Sequence, residues 1–248
     1  MTMFPHKQFN SLHEGRMTPF RIIGNVYFVG TYQASSHLID TGDGLVLIDT
    51  GYEKTFYLVI DGIHRLGFDP KDVKYVINSH WHWDHTEGSA AMAAFGAKNI
   101  IGRYDAENAK KYFEPDIIVQ DGDTLTLGNT TFTFLETPGH THGTLSIFFD
   151  VKVGENSYRL GMFGGAGSNT LVPEAFDYPN CRADFFASVE RLKKERVDVM
   201  LGNHTWNNDT LGKYEEMVRT GENPFIDPTL WGRFLDYRRE RAEKCILK

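Results

Sequence analysis

Apolar positions along the chain fall into short runs of two kinds. From Arg21, "RIIGNVYFVG", "SSHLID" and "GLVLIDT" are β-type runs separated by turn signals such as "DTGDG". "YLVIDGIHRLG" then carries apolar residues at helical spacing and stops at a glycine. "VKYVINS" reads as a buried strand, "GSAAMAAFGAKN" as an Ala-rich helix, and "IIGRYDAENAKKYF" as a short strand feeding another helix. A second batch of strands follows in "TLTLGNTTFTFLET", "TLSIFFDV" and "SYRLGMFG". "ADFFASVERLKKER" is an amphipathic helix, "VDVMLGN" a strand, and "TLGKYEEMVRT" and "PTLWGRFLDYRRERAEK" are closing helices. Two batches of strands, each interleaved with and followed by helices, predict an α/β sandwich of two packed sheets with helices outside. Residues 1–20 are polar and broken by prolines, and are expected to form a loose arm before a single domain over 21–248.

Composition narrows the partners. The chain has 248 residues, 41% hydrophobic and 24% charged, as in an ordinary soluble globular domain. A formal charge of -7 argues against a nucleic-acid partner, which needs a basic face. No apolar run approaches the roughly 20 residues of a membrane span. "MTMFPHKQFN" lacks a charged-then-apolar signal pattern, so the expectation is a cytoplasmic protein or one whose leader has been removed. The two cysteines, Cys181 and Cys245, are far apart in sequence; pairing between them is left open, and a monomer is expected.

The chemistry concentrates at "SHWHWDH", residues 79–85, directly after a buried strand. In an extended segment residues two apart point the same way, so His80 and His82 can share one metal. Asp84 and His85 follow as the chain turns into a helix and can address a second point. Histidine and carboxylate are zinc ligands. Two more strand ends present histidines: "TFTFLETPGHTHG" gives His140 and His142, and "VDVMLGNHTWNND" gives His204.

HxHxDH, TPGHTxG and a late strand-ending histidine resemble the metallo-β-lactamase superfamily of metallohydrolases. The resemblance spans nearly the whole chain and includes the Asp49–Gly51 turn after the "GLVLI" strand. "PFRIIGNVYFVGT", "DYPNCRADFFASVERL" and "NPFIDPTLWGRFLDYRRERAEK" look most like the third subclass of zinc β-lactamases. The resemblance implies a four-layer αβ/βα sandwich of two mixed sheets and two Zn2+ per chain. The first zinc falls to His80, His82 and His140, the second to Asp84, His85 and His204. Asp49 is implied as support for a ligand histidine. Most of the superfamily bridges its metals with an aspartate after a strand, and here that strand ends in Gly164-Gly165-Ala166. The third subclass also lacks a bridging ligand there, although serine is the commoner residue. His142 replaces the motif's usual second proline and is expected to be a surface substitution.

The implied activity is a zinc-dependent hydrolase whose metal-bound hydroxide opens a β-lactam or similar cyclic amide, with Asp84 orienting the hydroxide. Ser168 and Asn169, on a long Gly-rich loop, are candidate donors to a substrate carboxylate. Trp81 is expected to pack on the following helix or to wall the site. Other readings of the same residues are a hydrolase of a lactone or acyl ester, and a mononuclear iron dioxygenase. The dioxygenases keep the aspartate missing here, which counts against them. A non-catalytic metal-binding module is disfavoured because a closed structural zinc needs only four ligands.

Overall fold

The structure, a computed structural model, describes residues 3–4 and 15–247. Strands β1 (Phe20–Ile23), β2 (Val26–Phe28), β3 (His37–Asp40) and β4 (Leu45–Ile48) form an antiparallel meander. Helix α1 (Phe56–Arg65) carries the chain to β5 (Val73–Ile77), which runs parallel to β4. The short helices α2 (Trp83–Thr86) and α3 (Ser89–Ala94) lead to β6 (Lys98–Gly102), and α4 (Ala106–Ala109) leads to β7 (Ile117–Val119). These last two strands extend the sheet in parallel, giving seven strands in sequence order. Strands β8 (Thr124–Leu127), β9 (Thr130–Glu136), β10 (Leu145–Val153) and β11 (Asn156–Met162) make a second antiparallel meander. Helix α5 (Cys181–Leu192) returns the chain to β12 (Val199–Leu201), parallel to β11, and completes a five-stranded sheet. Helices α6 (Thr205–Asn208), α7 (Thr210–Thr220) and α8 (Leu230–Ile246) follow.

Side-chain alternation along the strands sorts the core into three layers of contact. Val46 and Ile48 of β4 meet Phe132, Phe134, Ile147 and Phe149 of the second sheet in a core shared by both sheets. Leu45 and Leu47 turn the other way, onto Phe56, Val59 and Ile63 of α1 and Met92 of α3. In the second sheet Phe148 points away from the shared core, onto Phe185 and Val189 of α5 and Trp231 and Phe234 of α8. Helix, sheet, sheet, helix is thus the layer order, and both sheets are mixed, as expected. Burying both faces explains why β4 reads as an unbroken apolar run rather than an alternating one, whereas β5 keeps an exposed Lys74 near its start.

Helix α1 ends where the sequence indicated. Gly67 takes φ 88°, and Phe68 N–H donates back to Ile63 O at 3.1 Å, a left-handed stop that favours glycine. The arm expected over residues 1–20 falls mostly outside the described residues. Of its described part, Gly15 O accepts from Tyr32 N–H at 2.7 Å, Arg16 bridges Thr31, and β1 begins at Phe20. Among the described residues no helix is long and apolar enough to cross a membrane.

Candidate metal centre

Strand ends from both sheets converge on one edge of the sandwich. Beyond β5 the chain bends at Ser79, His80 and Trp81 and is extended at His82, whose φ/ψ of -63°/148° precedes the single turn of α2. The bend brings the His80 and His82 rings to 4.8 Å, while the helical turn carries Asp84 and His85 into a second group. Thr86 holds that turn by donating its hydroxyl to Trp81 O and His82 O at 3.2 and 3.0 Å. His140 arrives from the loop between β9 and β10, and His204 from the end of β12.

Two groups result. His80, His82 and His140 form one, Asp84, His85 and His204 the other, with the ligand atoms of each group within 4.8 Å of one another. In the first, the three rings sit at centroid distances of 4.7–4.8 Å, and His82 Nδ1 lies 3.0 Å from His140 Nε2. In the second, Asp84 Oδ2 is 3.3 Å from His85 Nε2 and 3.7 Å from His204 Nε2. The groups adjoin, His80 and His85 lying 4.3 Å apart by ring centroid.

Hydrogen bonds on the outward nitrogens set which nitrogen faces inward. His140 Nδ1–H donates to Gly167 O at 3.1 Å, and His204 Nδ1–H to Gln33 O at 2.6 Å. His85 Nδ1–H donates to Asp49 Oδ2 at 2.8 Å. His80 Nδ1 meets the Ser79 hydroxyl at 3.1 Å. In His80, His140 and His204 this leaves Nε2 facing the group, while His85 Nε2 faces the Asp84 carboxylate at 3.3 Å. His80 Nε2 is buried and makes no hydrogen bond among the described residues. Buried polar atoms ordinarily find partners, so an orphaned imidazole nitrogen amid two further histidines fits a cation.

Electrostatics favours the same occupant. Burial and the neighbouring imidazoles hold His80 and His140 well below the usual histidine range. Burial likewise lowers His82 and His204 to about 4. These four are neutral at neutral pH, the form in which imidazole binds a metal. Burial works against charge on His85, but Asp84 and Asp49 on its two sides raise it to about 10. Asp84 is opposed by burial too, yet His85 beside it keeps the carboxyl far below the usual carboxylate range. Three neutral imidazoles in one set, and two imidazoles with one carboxylate in the other, fit zinc, which takes nitrogen and oxygen ligands at about 2.0–2.2 Å.

The profile of the metallo-beta-lactamase superfamily matches residues 29–153, half of the chain. The chain belongs to the metallo-β-lactamase superfamily. Among solved structures, BJP-1, a subclass B3 metallo-β-lactamase of Bradyrhizobium japonicum, is 31% identical with a TM-score of 0.86. That match covers 93% of this chain and 94% of BJP-1. The FEZ-1 metallo-β-lactamase of Legionella gormanii is 30% identical with a TM-score of 0.86, covering 93% of this chain and 95% of FEZ-1. An N-acyl homoserine lactonase of a Bacillus species is 25% identical over 148 residues, 47% of this chain and 58% of the lactonase. The chain spans 51–64% of the length of the first curated relatives it matches.

The histidines are held by a surrounding set of hydrogen bonds. Asp49, 1% exposed, accepts from Ser79 N–H at 2.7 Å, from the Ser79 hydroxyl at 2.8 Å and from His85 Nδ1–H. Asp49 thus touches the motif at both ends. Its φ of 57° is a left-handed value that only a few non-glycine residues adopt easily. Asp105 was not legible as a site residue. It is fully buried, and accepts from Trp81 N–H at 3.1 Å, the Thr141 hydroxyl at 2.7 Å and Gly143 N–H at 2.7 Å. Burial drives its carboxyl up to about 7 against the pull of those donors.

The Gly164-Gly165 gap has a steric cause. A Cβ at Gly164 would sit 2.1 Å from Leu145 O, and one at Gly165 would meet Thr144 Oγ1 at 2.6 Å and His140 Cβ at 2.9 Å. A Cβ at Gly167 would meet the His140 ring at 2.8 Å. The backbone here presses directly on the His140 loop, which leaves no room for a bridging side chain. Ser168 and Asn169 begin the turn that follows. Ser168 is buried, Asn169 is exposed, and Ser168 O accepts from the Cys245 thiol at 3.5 Å. Cys181 donates to Thr170 O at 3.8 Å; the two thiols are free, not paired.

Trp81 packs against Ile101, Ala109 and Phe113, with the Lys111 ammonium 4.4 Å above its ring. Trp83 is half exposed. His142 departs from the surface substitution expected. It is half-buried, with its ring stacked between Tyr104 at 4.0 Å and Tyr178 at 4.3 Å.

Proposed function

We propose that this chain is a zinc-dependent hydrolase that opens a β-lactam or similar cyclic amide, a small-molecule substrate. The observation that carries the reading is coverage. The two β-lactamases match over 93% of the chain, at 30–31% identity and a TM-score of 0.86. The second set of Asp84, His85 and His204, with glycines where a bridging carboxylate would stand, supports the same subclass.

His80, His82 and His140 would hold one metal, and Asp84, His85 and His204 the other. Bound metal of this kind polarises a substrate carbonyl and makes water a nucleophile at neutral pH. The chain's residues do the rest. Asp84 stays ionised and is placed to accept a hydrogen bond from the attacking water. Asp49 fixes the His85 ring, and the Gly167 and Gln33 carbonyls fix the tautomers of His140 and His204. Trp81 and the loop from Gly164 to Tyr178 wall the cleft and limit solvent.

Turnover of a carbapenem and a cephalosporin by the zinc-loaded protein is expected, read as loss of the ring chromophore. No turnover of either removes the cyclic-amide reading and leaves a lactone or acyl ester, which the lactonase match favours. Elemental analysis is expected to give about two zinc equivalents per chain. His204→Ala should lower that to about one, held by His80, His82 and His140. One tightly bound iron would overturn the hydrolase.

A further inference from the structure

The segment between β11 and α5, residues 163–180, runs beside the first histidine group and, on the hydrolase reading, would wall its cleft. Near its start, Gly167 O fastens it to His140. Near its far end stands Asp177, which has no part in either histidine group. Asp177 Oδ1 accepts the indole N–H of Trp81 at 3.2 Å, and Oδ2 accepts the backbone N–H of His142 at 2.9 Å. Trp81 lies between His80 and His82, and His142 lies two residues beyond His140. One carboxylate therefore ties the cleft wall to both stretches of chain that carry the first histidine group. The next residue, Tyr178, adds a second tie by stacking on the His142 ring, with an interplanar angle of 21°. Tyr104 covers the opposite face of that ring at 12°, so His142 is clamped rather than merely touched.

The residue types suit the task. Two N–H donors arriving from different loops need two acceptor oxygens, which a carboxylate supplies and an amide does not. Position 142 must supply an N–H and a flat ring. The proline usual in the family's motif has neither.

We propose that Asp177 is a positioning residue that, through Trp81 and His142, sets the wall 163–180 against the metal-ligating loops and so fixes the shape of the cleft. The cleft is a substrate cleft only on the hydrolase reading above; the fastening stands without it.

Hydrogen exchange of residues 163–180 in the full chain tests the fastening. Asp177→Ala is expected to speed exchange there about tenfold, since a charge-assisted hydrogen bond is worth roughly that factor. Asp177→Asn, which keeps one acceptor, should rescue part of the protection. His142→Pro should lose a smaller part than Asp177→Ala, and it also serves should the alanine variant fail to fold. Metal content should match the unmodified protein throughout. The Trp81 indole N–H resonance, assigned by its absence in Trp81→Phe, should shift upfield in Asp177→Ala and stay in His142→Pro. With a cephalosporin as probe, KM should rise about tenfold in Asp177→Ala, with kcat within about twofold. Exchange within twofold of the unmodified protein in both variants, or an unmoved indole resonance in Asp177→Ala, overturns the assignment. A protein that turns over no β-lactam but shows the exchange and resonance changes loses the substrate reading and keeps the fastening.

Discussion

Asp84→Asn is expected to lower kcat/KM on the order of a thousandfold while the protein stays folded. Asparagine has nearly the shape of aspartate, so packing around α2 should survive. What is lost is the only anion in the second set, which lies 3.3 Å from His85 and 3.7 Å from His204. Without it the set offers two imidazoles and a neutral amide, a much poorer cradle for a divalent cation. The carboxylate that orients water is lost at the same stroke. Steady-state kinetics with a cephalosporin and elemental analysis of the same sample check both effects. Activity within tenfold of the unmodified protein would show that Asp84 neither ligates nor orients.

Asp49→Ala is expected to cost about 3–5 kcal/mol of stability in the metal-free protein, read by urea unfolding. This is the range for removing one partner of a buried ionic contact. Three donors lose their acceptor together: Ser79 N–H, the Ser79 hydroxyl and His85 Nδ1–H. With His85 1% exposed, no water replaces the missing oxygen. Alanine at a φ of 57° adds about 1 kcal/mol, because its Cβ crowds the carbonyl in the left-handed region. Asp49→Asn separates the two causes, since asparagine tolerates that backbone but keeps one acceptor. Metal affinity should fall about 10–100-fold in both variants, as His85 loses its orienting partner. A loss below 1 kcal/mol for Asp49→Ala would mean that His85 is held by something else.

Much of this was legible in the sequence because the signals were local. Strands β1 to β6 and β8 to β12 lie in runs dense in branched and aromatic residues, and α1 announced its end at Gly67. All six candidate ligands were legible because each follows a strand end, where backbone direction is predictable. Strand β7 was missed: Ile117–Val119 is three residues in a polar stretch, too short to show a period. The turns α2 and α6 have four residues each and no face to repeat. Asp105 and Asp177 were missed for a different reason. An aspartate in a loop reads as a turn former, and nothing nearby marks it as buried. Their partners lie 24 to 96 residues away in sequence, so only the folded chain shows what they join. His142 was visible as an oddity, but its two tyrosines were not.

The division of ligands between the two sheets bears on the order in which the protein matures. Chains emerge from the ribosome N-terminus first and tend to fold in that order. The first sheet comes out with four of the six donors, His80, His82, Asp84 and His85, yet neither group is complete. The first waits for the β9–β10 loop to deliver His140. The second waits for His204, after the last strand has docked. On the two-metal reading a nascent chain would complete the two groups in a fixed sequence, and a chain truncated before β12 could complete only the first. Once loaded, each ion would add a cross-link between halves of the molecule that are already joined by packing and by hydrogen bonds such as Leu145 N–H to Ser79 O and Ser35 N–H to Asn203 O, so stripping the metal should loosen the seam between the sheets before it melts either one.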